Sequence, residues 1–341
     1  EELTDQVKRQ MAEFDNFRKR TEKEKTQMFE TGAKSVIEKI LPVIDNFERG
    51  LAAVPEDEKD SAFVDGMDKV YRQMLTELAP DAVFARQEGV SYPTFQKYTY
   101  YSRTAHRDTP VNVLLPTDYD EQRTYPVLYI LHGYWDTQDW MARDAVGLNV
   151  MLGNLWASGE AEEMIVVLPY IFCDQELRSC TGMNLRNSLC YDNFVNDLTA
   201  DLMPFIQQNF AAATGREQTA ITGFSMGGRE SLFIALTHPE LFAWVGAVAP
   251  APGLTPIPGS ADHPGQLQES ELTFGDTKPE LLLISASRAD GVVTSTPSGY
   301  RQVLQLNGEE LVWHQLTNTQ HDHTSVKPHL YNFCRMIFRR E

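Results

Sequence analysis

The stretch TAITGFSMGGRESLFIAL, residues 219–236, constrains the fold of this chain more than any other. A Gly-x-Ser-x-Gly turn between an apolar strand and a helix is typical of a nucleophile elbow, which lifts a serine Oγ above the end of a sheet. The residues at Gly223 and Gly227 have to be small for such a turn to close. The pattern predicts that Ser225 is a nucleophile and that the Met226 N–H is an oxyanion donor. The alternative is an incidental serine in a tight glycine turn.

The residues around this stretch predict a doubly wound α/β layer structure. Continuous apolar runs, which suit parallel strands buried on both faces, alternate with helical stretches. We predict strands at 111–116, 125–133, 163–170, 219–224, 244–250 and 280–286. We predict helices near 145–157, 191–210, 226–237, 297–307 and 327–338. The Pro- and Gly-rich residues 249–266 are predicted to form a long surface loop that shapes or covers a site.

A serine nucleophile needs a base, and the base needs an orienting carboxylate. In folds with this elbow the chain order is serine, carboxylate, histidine. His321 follows the apparent strand ELVWHQL and precedes the last helix, so we predict that it is the base, with His323 as the second choice. Asp290 follows the strand at 280–286 and is the predicted acid. The other histidines after the serine are less suitably placed: His238 past the elbow helix, His263 in the loop, His314 in a strand and His329 on a helix surface.

The stretch YILHGYW, residues 129–135, marks an earlier strand exit from which a second oxyanion donor is expected. The Tyr134 N–H is the predicted donor. His132 precedes the serine in the chain, so a structural role in holding the loop is the better interpretation. Trp135 and Trp140 follow the same strand and are candidates to flank an aromatic acyl group or a sugar ring, although aromatic residues are also ordinary core material.

Residues 1–79 differ in character, being rich in Glu, Lys, Arg, Gln and Met. Apolar residues recur there at intervals of three and four, which predicts a long amphipathic helix that ends at Pro42. Its narrow apolar stripe needs a partner helix, most simply from a second copy. Two shorter helices, VIDNFERGLAAV and FVDGMDKVYRQMLTELA, follow. We therefore predict an all-α coiled-coil or helical-bundle domain at 1–79, a linker at 80–92 and the α/β domain at 93–341.

Charge and cysteine content narrow the classes of partner. The formal net charge of -18 argues against nucleic acid or an anionic membrane as the main partner. No apolar run reaches 18 residues, the length that a membrane-spanning helix needs.

The four cysteines lack a Cys-x-x-Cys pair, and a Cys173–Cys180 bridge in an oxidising compartment is the alternative to four thiols. The cluster His321-Asp322-His323 has no matching ligand set, and no phosphate-binding or dinucleotide glycine loop is present. We predict no metal and no cofactor.

From about residue 90 the sequence resembles the esterase D-like α/β-hydrolases, in particular carbohydrate esterase family 1. The motifs, in order, are YPVLYILHGYWDTQDW, YDNFVNDLTADLMPFIQQNF, TGREQTAITGFSMGGRESLFIALTHPELF, SRADGVV and HDHTSVKPHLYNF. The resemblance implies the α/β-hydrolase fold, a Ser225–Asp290–His321 triad and hydrolysis of feruloyl esters on plant cell-wall xylan, with acetylxylan esterase as the alternative. The sequence departs from the family after Gly133, where many members carry further glycines, and at His323, where members often have an aromatic residue.

Residues 1–79 resemble the helical part of GrpE, the nucleotide-exchange factor of the DnaK chaperone. The stretches FRKRTEKEKTQMFETGAKSVIEKILPVIDNFERGLAA and FVDGMDKVYRQMLTELA carry the likeness. The resemblance implies a homodimer through these helices. The β-rich part that engages DnaK is replaced by the second region, so a DnaK partnership is not expected. A GrpE-like cofactor or scaffold that carries an inactive hydrolase module is the alternative of another class. The GrpE-like region suggests a cytoplasmic protein and the esterase region a secreted one.

Overall fold

The computed structural model describes residues 81–260, 264–317 and 319–339, together with parts of 40–71. Two compact units divide the chain, Glu1–Met74 and Leu75–Glu341. In the first unit, helical residues at 43–47 and 49–52 lie within the first predicted short helix, and helical residues at 63–64, 66–67 and 70–71 lie within the second. Residues 40 and 42 are also helical. The rest of the long helix predicted before Pro42 lies outside the described residues, and the predicted bounds of the linker stay a prediction.

The second unit is built on an eight-stranded sheet with the order β1-β2-β4-β3-β5-β6-β7-β8. The strands are β1 Phe95–Ser102, β2 Arg107–Leu114, β3 Val127–Leu131, β4 Ile165–Pro169, β5 Thr219–Gly223, β6 Trp244–Val248, β7 Leu281–Ser287 and β8 Val312–Leu316. Pairing is antiparallel between β1 and β2 and between β2 and β4, and parallel elsewhere. This confirms the mostly parallel sheet. The edge strand β1 was not predicted, because its sequence FQKYTYYS is half-exposed and lacks a continuous apolar run.

The helices are α1 Leu148–Ser158, α2 Leu185–Asp192, α3 Phe194–Asp197, α4 Met203–Asn209, α5 Met226–Thr237, α6 Thr296–Leu306 and α7 His323–Met336, with a π-helical turn Leu198–Leu202 between α3 and α4. The helix predicted near 191–210 corresponds to the continuous helical stretch 194–209, formed by α3, the π-helical turn and α4. The separate helix α2 before it was not predicted. It begins where the Asn184 side chain accepts a hydrogen bond from Asn187 N. The last helix begins earlier than predicted, because Asp322 caps it through Thr324 N.

Alternate residues of β3 serve two apolar layers, one on each face of the sheet. Val127, Tyr129 and Leu131 belong to one buried cluster, and Leu128 and Ile130 belong to the other. A strand that is buried on both faces cannot show polar alternation, which is why its sequence is continuously apolar. The sheet is therefore a central layer with packed helices on both sides, and its C-terminal edge is left to carry a site.

The segment 81–92 is anchored to α1. The Asn154 side chain donates hydrogen bonds to the carbonyls of Val83 and Ala85, at 2.7 and 2.9 Å, and accepts one from the Tyr92 hydroxyl at 2.8 Å. Val83 is buried against the same helix. The residues predicted as a linker thus contact the α/β unit directly.

The cysteines of the chain are free thiols. Cys173, Cys190 and Cys334 are buried, and Cys180 is half-buried. The alternative Cys173–Cys180 bridge is therefore not formed in this structure. Within the described part of the chain, no helix combines the length and the apolar character that a membrane crossing requires.

Candidate active site

Ser225 lies at the turn between β5 and α5 with φ 55° and ψ −113°, a conformation that a non-glycine residue adopts only under strain. A Cβ on Gly223 would lie 2.4 Å from the Gly227 carbonyl carbon, and a Cβ on Gly227 would lie 2.3 Å from the Leu131 carbonyl oxygen. Neither position has room for a side chain. The turn is held from the neighbouring strand, because Ser225 N donates to Val248 O at 3.0 Å. The turn Gly223–Gly227 therefore has the conformation of a nucleophile elbow.

The structure brings Ser225, His321 and Asp290 together. The His321 Nε2 lies 2.8 Å from Ser225 Oγ, and its Nδ1 lies 2.7 Å from Asp290 Oδ2. Ser225 and Asp290 are buried, whereas the His321 side chain remains 15% exposed. When Nδ1 carries the proton and donates it to Asp290, Nε2 is left to accept from the serine hydroxyl. This is the geometry that proton removal from Ser225 requires.

Asp290 is held as a carboxylate. It follows β7 in a turn where the backbone N–H groups of Val292 and Val293 donate to its Oδ1, at 2.9 and 3.3 Å. Burial acts to raise the pKa of Asp290, but the hydrogen bonds from His321 and Val292 outweigh it, so the pKa lies below the ordinary value. The charge on Asp290 is therefore available to orient the imidazole.

The remaining histidines are placed elsewhere. His323 is the first residue of α7, His314 lies within β8 and His238 follows the end of α5. His329 is fully buried, and its ring nitrogens lie 2.8 Å from Thr222 Oγ1 and 2.7 Å from Ser285 Oγ. The prediction that His329 sits on a helix surface was wrong. Its side chain is buried against the sheet, where the hydroxyl groups of Thr222 in β5 and Ser285 in β7 are its hydrogen-bond partners. His263 lies outside the described residues.

His132 holds the loop after β3, as predicted. It is buried, its Nδ1 lies 2.8 Å from Gly133 O, and its Nε2 accepts from Ile171 N at 3.1 Å. Burial lowers the pKa of His132 to about 4, so the ring is neutral and can accept and donate at once. These two bonds fix the exit of β3 beside the loop that follows β4.

The two predicted oxyanion donors line the same cavity as Ser225. Met226 is the first residue of α5, so its N–H has no acceptor within the helix. Tyr134 follows Gly133, and its hydroxyl donates to Gly182 O at 3.0 Å. The neighbouring Trp135 has φ 69°, a left-handed conformation that turns the loop sharply. The roles of the Met226 and Tyr134 N–H groups stay a prediction.

The cavity above Ser225 has a volume of about 320 Å³ and largely apolar walls. Trp140 lies in its wall and stacks on Phe224, with ring centroids 5.1 Å apart and planes 9° apart. Trp135 also lines it and is 54% exposed. Both predicted tryptophans therefore lie at the site, and their contact with substrate stays a prediction.

Several lining residues were not predicted from the sequence: Asp136, Met183, Phe224, Pro252, Val292 and Val293. The sequence held a signal for three of them, since Asp136 is the first acidic residue after the predicted donor and the two valines come two and three residues after the predicted acid. Burial raises the pKa of Asp136 to about 6, against the opposing effects of Arg143 and His321. The cavity is thus lined by carboxylates other than that of Asp290, namely Asp136 and Asp322.

A buried charged cluster behind the elbow was also not predicted. The Arg229 side chain is fully buried on α5, donates to Glu230 Oε1 at 2.8 Å and contacts Asp192. It also donates to Pro252 O at 3.4 Å, which ties the cluster to the cavity wall. Burial and the nearby Glu230 raise the pKa of Asp192 to about 7. In the sequence, the cluster is marked by the adjacent Arg229 and Glu230 in a helix that has no other charged residue.

Comparison with known proteins matches the second unit to esterases. The family model described as Putative esterase matches residues 102–323. The structure of a CE1 ferulic acid esterase from Anaeromyces mucronatus, in complex with ferulic acid, superposes with a TM-score of 0.72 and 38% identity, over 76% of this chain and 96% of that chain. An endo-1,4-beta-xylanase/feruloyl esterase of Xylanibacter ruminicola is 27% identical over 225 residues, which cover 62% of this chain and 30% of that protein.

The first unit is similar to GrpE. The GrpE family model matches residues 1–86. Protein GrpE of Lachnoclostridium phytofermentans is 73% identical over 78 residues, which cover 23% of this chain and 35% of that protein. The chain therefore spans about a third of the length of each of these two curated relatives.

Proposed function

The chain belongs to the esterase family and is a serine carboxylic ester hydrolase, and from this premise we propose that it cleaves feruloyl esters of xylan-derived polysaccharides. The observation that carries the proposal is the opening of Ser225 Oγ, hydrogen-bonded to His321, into an apolar and aromatic cavity of about 320 Å³. A feruloyl group presents one aromatic ring on a short unsaturated arm. The names of the ferulic acid esterase and the xylanase/feruloyl esterase to which the chain is similar support the same substrate class.

In the proposed reaction, His321 Nε2 takes the proton of Ser225 as Oγ attacks the ester carbonyl. Asp290 keeps the imidazole in the required tautomer and stabilises the imidazolium that forms. The Met226 and Tyr134 N–H groups receive the oxyanion, and loss of one such donor costs about 2.7–4 kcal/mol of barrier in comparable sites. The sugar alcohol leaves with the proton from His321. Water, activated by the same histidine, then releases the acid.

Hydrolysis of acetylxylan is the alternative reaction for the same catalytic groups. An acetyl group has no ring, so the paired faces of Trp140 and Phe224 would contribute little to its binding. A contact between two aromatic rings, stacked or edge to face, contributes about 0.5–1.5 kcal/mol beyond the area that it buries. The walls of the cavity therefore favour an aromatic acyl group.

The test compares wild type, Ser225→Ala and Ser298→Ala on methyl ferulate and on acetylated xylan. Ser298 is exposed on α6 and serves as the matched control for the loss of a hydroxyl. We expect wild type and the control to prefer methyl ferulate, and Ser225→Ala to lose about 10³-fold or more of kcat. Faster turnover of acetylated xylan would contradict the feruloyl assignment. Full activity of Ser225→Ala would contradict the serine mechanism.

For the first unit we propose a homodimer through the GrpE-like helices. Large apolar side chains there are exposed in the single chain, among them Val43 and Phe63, the latter at 76%. We expect Val43→Glu with Phe63→Glu to convert a dimer to a monomer in light scattering of the full chain. An unchanged particle mass contradicts this interface.

Whether the protein acts on DnaK and in which cellular compartment it lies are tested separately. The chain matches only about a third of its GrpE relative, so we expect no acceleration of nucleotide release from DnaK. The GrpE-like region favours the cytoplasm and the esterase region favours secretion. Fractionation of cells that express the full chain distinguishes the two.

A further inference from the structure

A carboxylate that the ester-hydrolysis mechanism does not use stands in the wall of the cavity. Asp136 ends the turn after β3, with its N–H donating to Gly133 O at 3.3 Å. Its Oδ2 lies 3.0 Å from the position that a Cβ on Gly133 would occupy, and the Phe224 ring lies 3.2 Å from the same position. Asp136 lines the cavity together with Ser225 and His321. A fixed charge is thus built in beside the elbow.

The neighbouring charges leave Asp136 as an anion at pH 7.5. Burial raises the pKa of Asp136 to about 6, and the neighbouring groups that oppose this effect are Arg143 and His321. The other non-catalytic carboxylate that lines the cavity is Asp322. Its Oδ1 accepts from Thr324 N at 2.8 Å, so it is engaged in capping α7. Asp136 is therefore the lining carboxylate whose charge has no role in holding a helix end.

The negative charge of Asp136 acts differently on the product and on the transition state. The N-terminus of α5 attracts anions, so a product carboxylate would tend to remain where the oxyanion was held. In the transition state the oxyanion is accompanied by the imidazolium of His321, and Asp136 attracts one member of this pair while it repels the other. The product carboxylate has no such partner once His321 is neutral again. Repulsion by Asp136 therefore falls mainly on the product.

We propose that Asp136 is a specificity-determining residue that repels the carboxylate of the released acid, which speeds product release and excludes free acids from the site. The inference depends on the proposed function only for the identity of the acid. A neutral ester and a neutral amide feel no net repulsion, whereas a carboxylate of the same shape does.

The experiment measures inhibition of p-nitrophenyl acetate hydrolysis at pH 7.5 by ferulate and by its uncharged isostere ferulamide. The variants are Asp136→Asn and the matched control Asp144→Asn, an exposed aspartate eight residues further along the chain. We expect the inhibition constant of ferulate to fall about tenfold in Asp136→Asn, which corresponds to about 1.4 kcal/mol. Ferulamide inhibition in Asp136→Asn, and inhibition of the control by either compound, should stay at the wild-type values.

Two outcomes overturn the inference. Ferulate inhibition unchanged in Asp136→Asn removes the charge effect, and equal tightening of both compounds assigns the effect to shape. If wild type does not hydrolyse methyl ferulate, the proposed substrate is wrong, and the pair benzoate and benzamide then decides the charge effect by the same criterion.

Discussion

Replacing Gly227 with alanine is expected to damage both the stability and the activity of the enzyme. The new Cβ would lie 2.3 Å from Leu131 O, 2.5 Å from Leu131 C and 2.6 Å from His132 O. Leu131 is the last residue of β3 and pairs with Gly223 of β5, so this backbone is fixed by the sheet. The strain must be relieved by displacement of α5, which begins at Met226, one residue before Gly227.

The size of the effect follows from the contact distances. Carbon and its neighbours reach their favourable separation at about 3.5 Å, so α5 has to retreat by about 1 Å. Overpacking of this kind costs about 1–3 kcal/mol of stability. A displacement of 1 Å at a catalytic group costs about 100-fold in rate. Because Ser225 is joined directly to the helix that moves, we expect both losses together.

The assay pairs kcat/KM on p-nitrophenyl acetate with thermal unfolding. Gly299→Ala is the matched control, since Gly299 lies inside α6 and a Cβ there meets nothing within 4 Å. This control should keep its activity and gain about 0.5–1 kcal/mol, because alanine is the better helix former. A Gly227→Ala enzyme with wild-type activity and melting temperature would show that the backbone yields freely, and the close-approach reasoning would fail.

Three further predictions concern charged and titratable groups. Asp290→Asn should lower kcat on p-nitrophenyl acetate by about 10⁴-fold by favouring the wrong imidazole tautomer, and a tenfold effect or less would be too small for an orienting role. Arg229→Met should cost about 3–5 kcal/mol in urea unfolding, because the buried Glu230 and the half-buried Asp192 lose their cation, and a loss below 1 kcal/mol contradicts this. Burial lowers the pKa of His329 to about 3, so its contribution to stability is complete above pH 6.5 and declines as the pH falls, by about 1.4 kcal/mol per pH unit. His329→Gln should remove that part of the acid sensitivity in urea midpoints between pH 6.5 and 4.5, and equal slopes for variant and wild type would refute the assignment.

The fold was predictable where burial on both faces leaves a strand continuously apolar. The five predicted strands that correspond to β3 to β7 are buried at every residue, whereas β1 has one exposed side and was missed. The short helix α2 was missed because its start is fixed by one side-chain bond from Asn184 and not by periodicity. Long-range packing, such as the insertion of His329 between Thr222 and Ser285, has no local pattern at all.

The catalytic groups and the cavity walls differ in how strongly the sequence marks them. Ser225, Asp290 and His321 each follow a strand that runs to the same edge of the sheet, so chain order alone is enough to place them near one another. The walls come from loops whose conformation depends on distant hydrogen bonds, as when Arg107 donates to the carbonyls of Phe172, Asp174 and Leu177 and so shapes the loop leading to the wall residue Met183. Since the strand ends fix the chemistry and the loops fix what fits above it, substitutions in these loops can change the acyl group accepted without moving the triad.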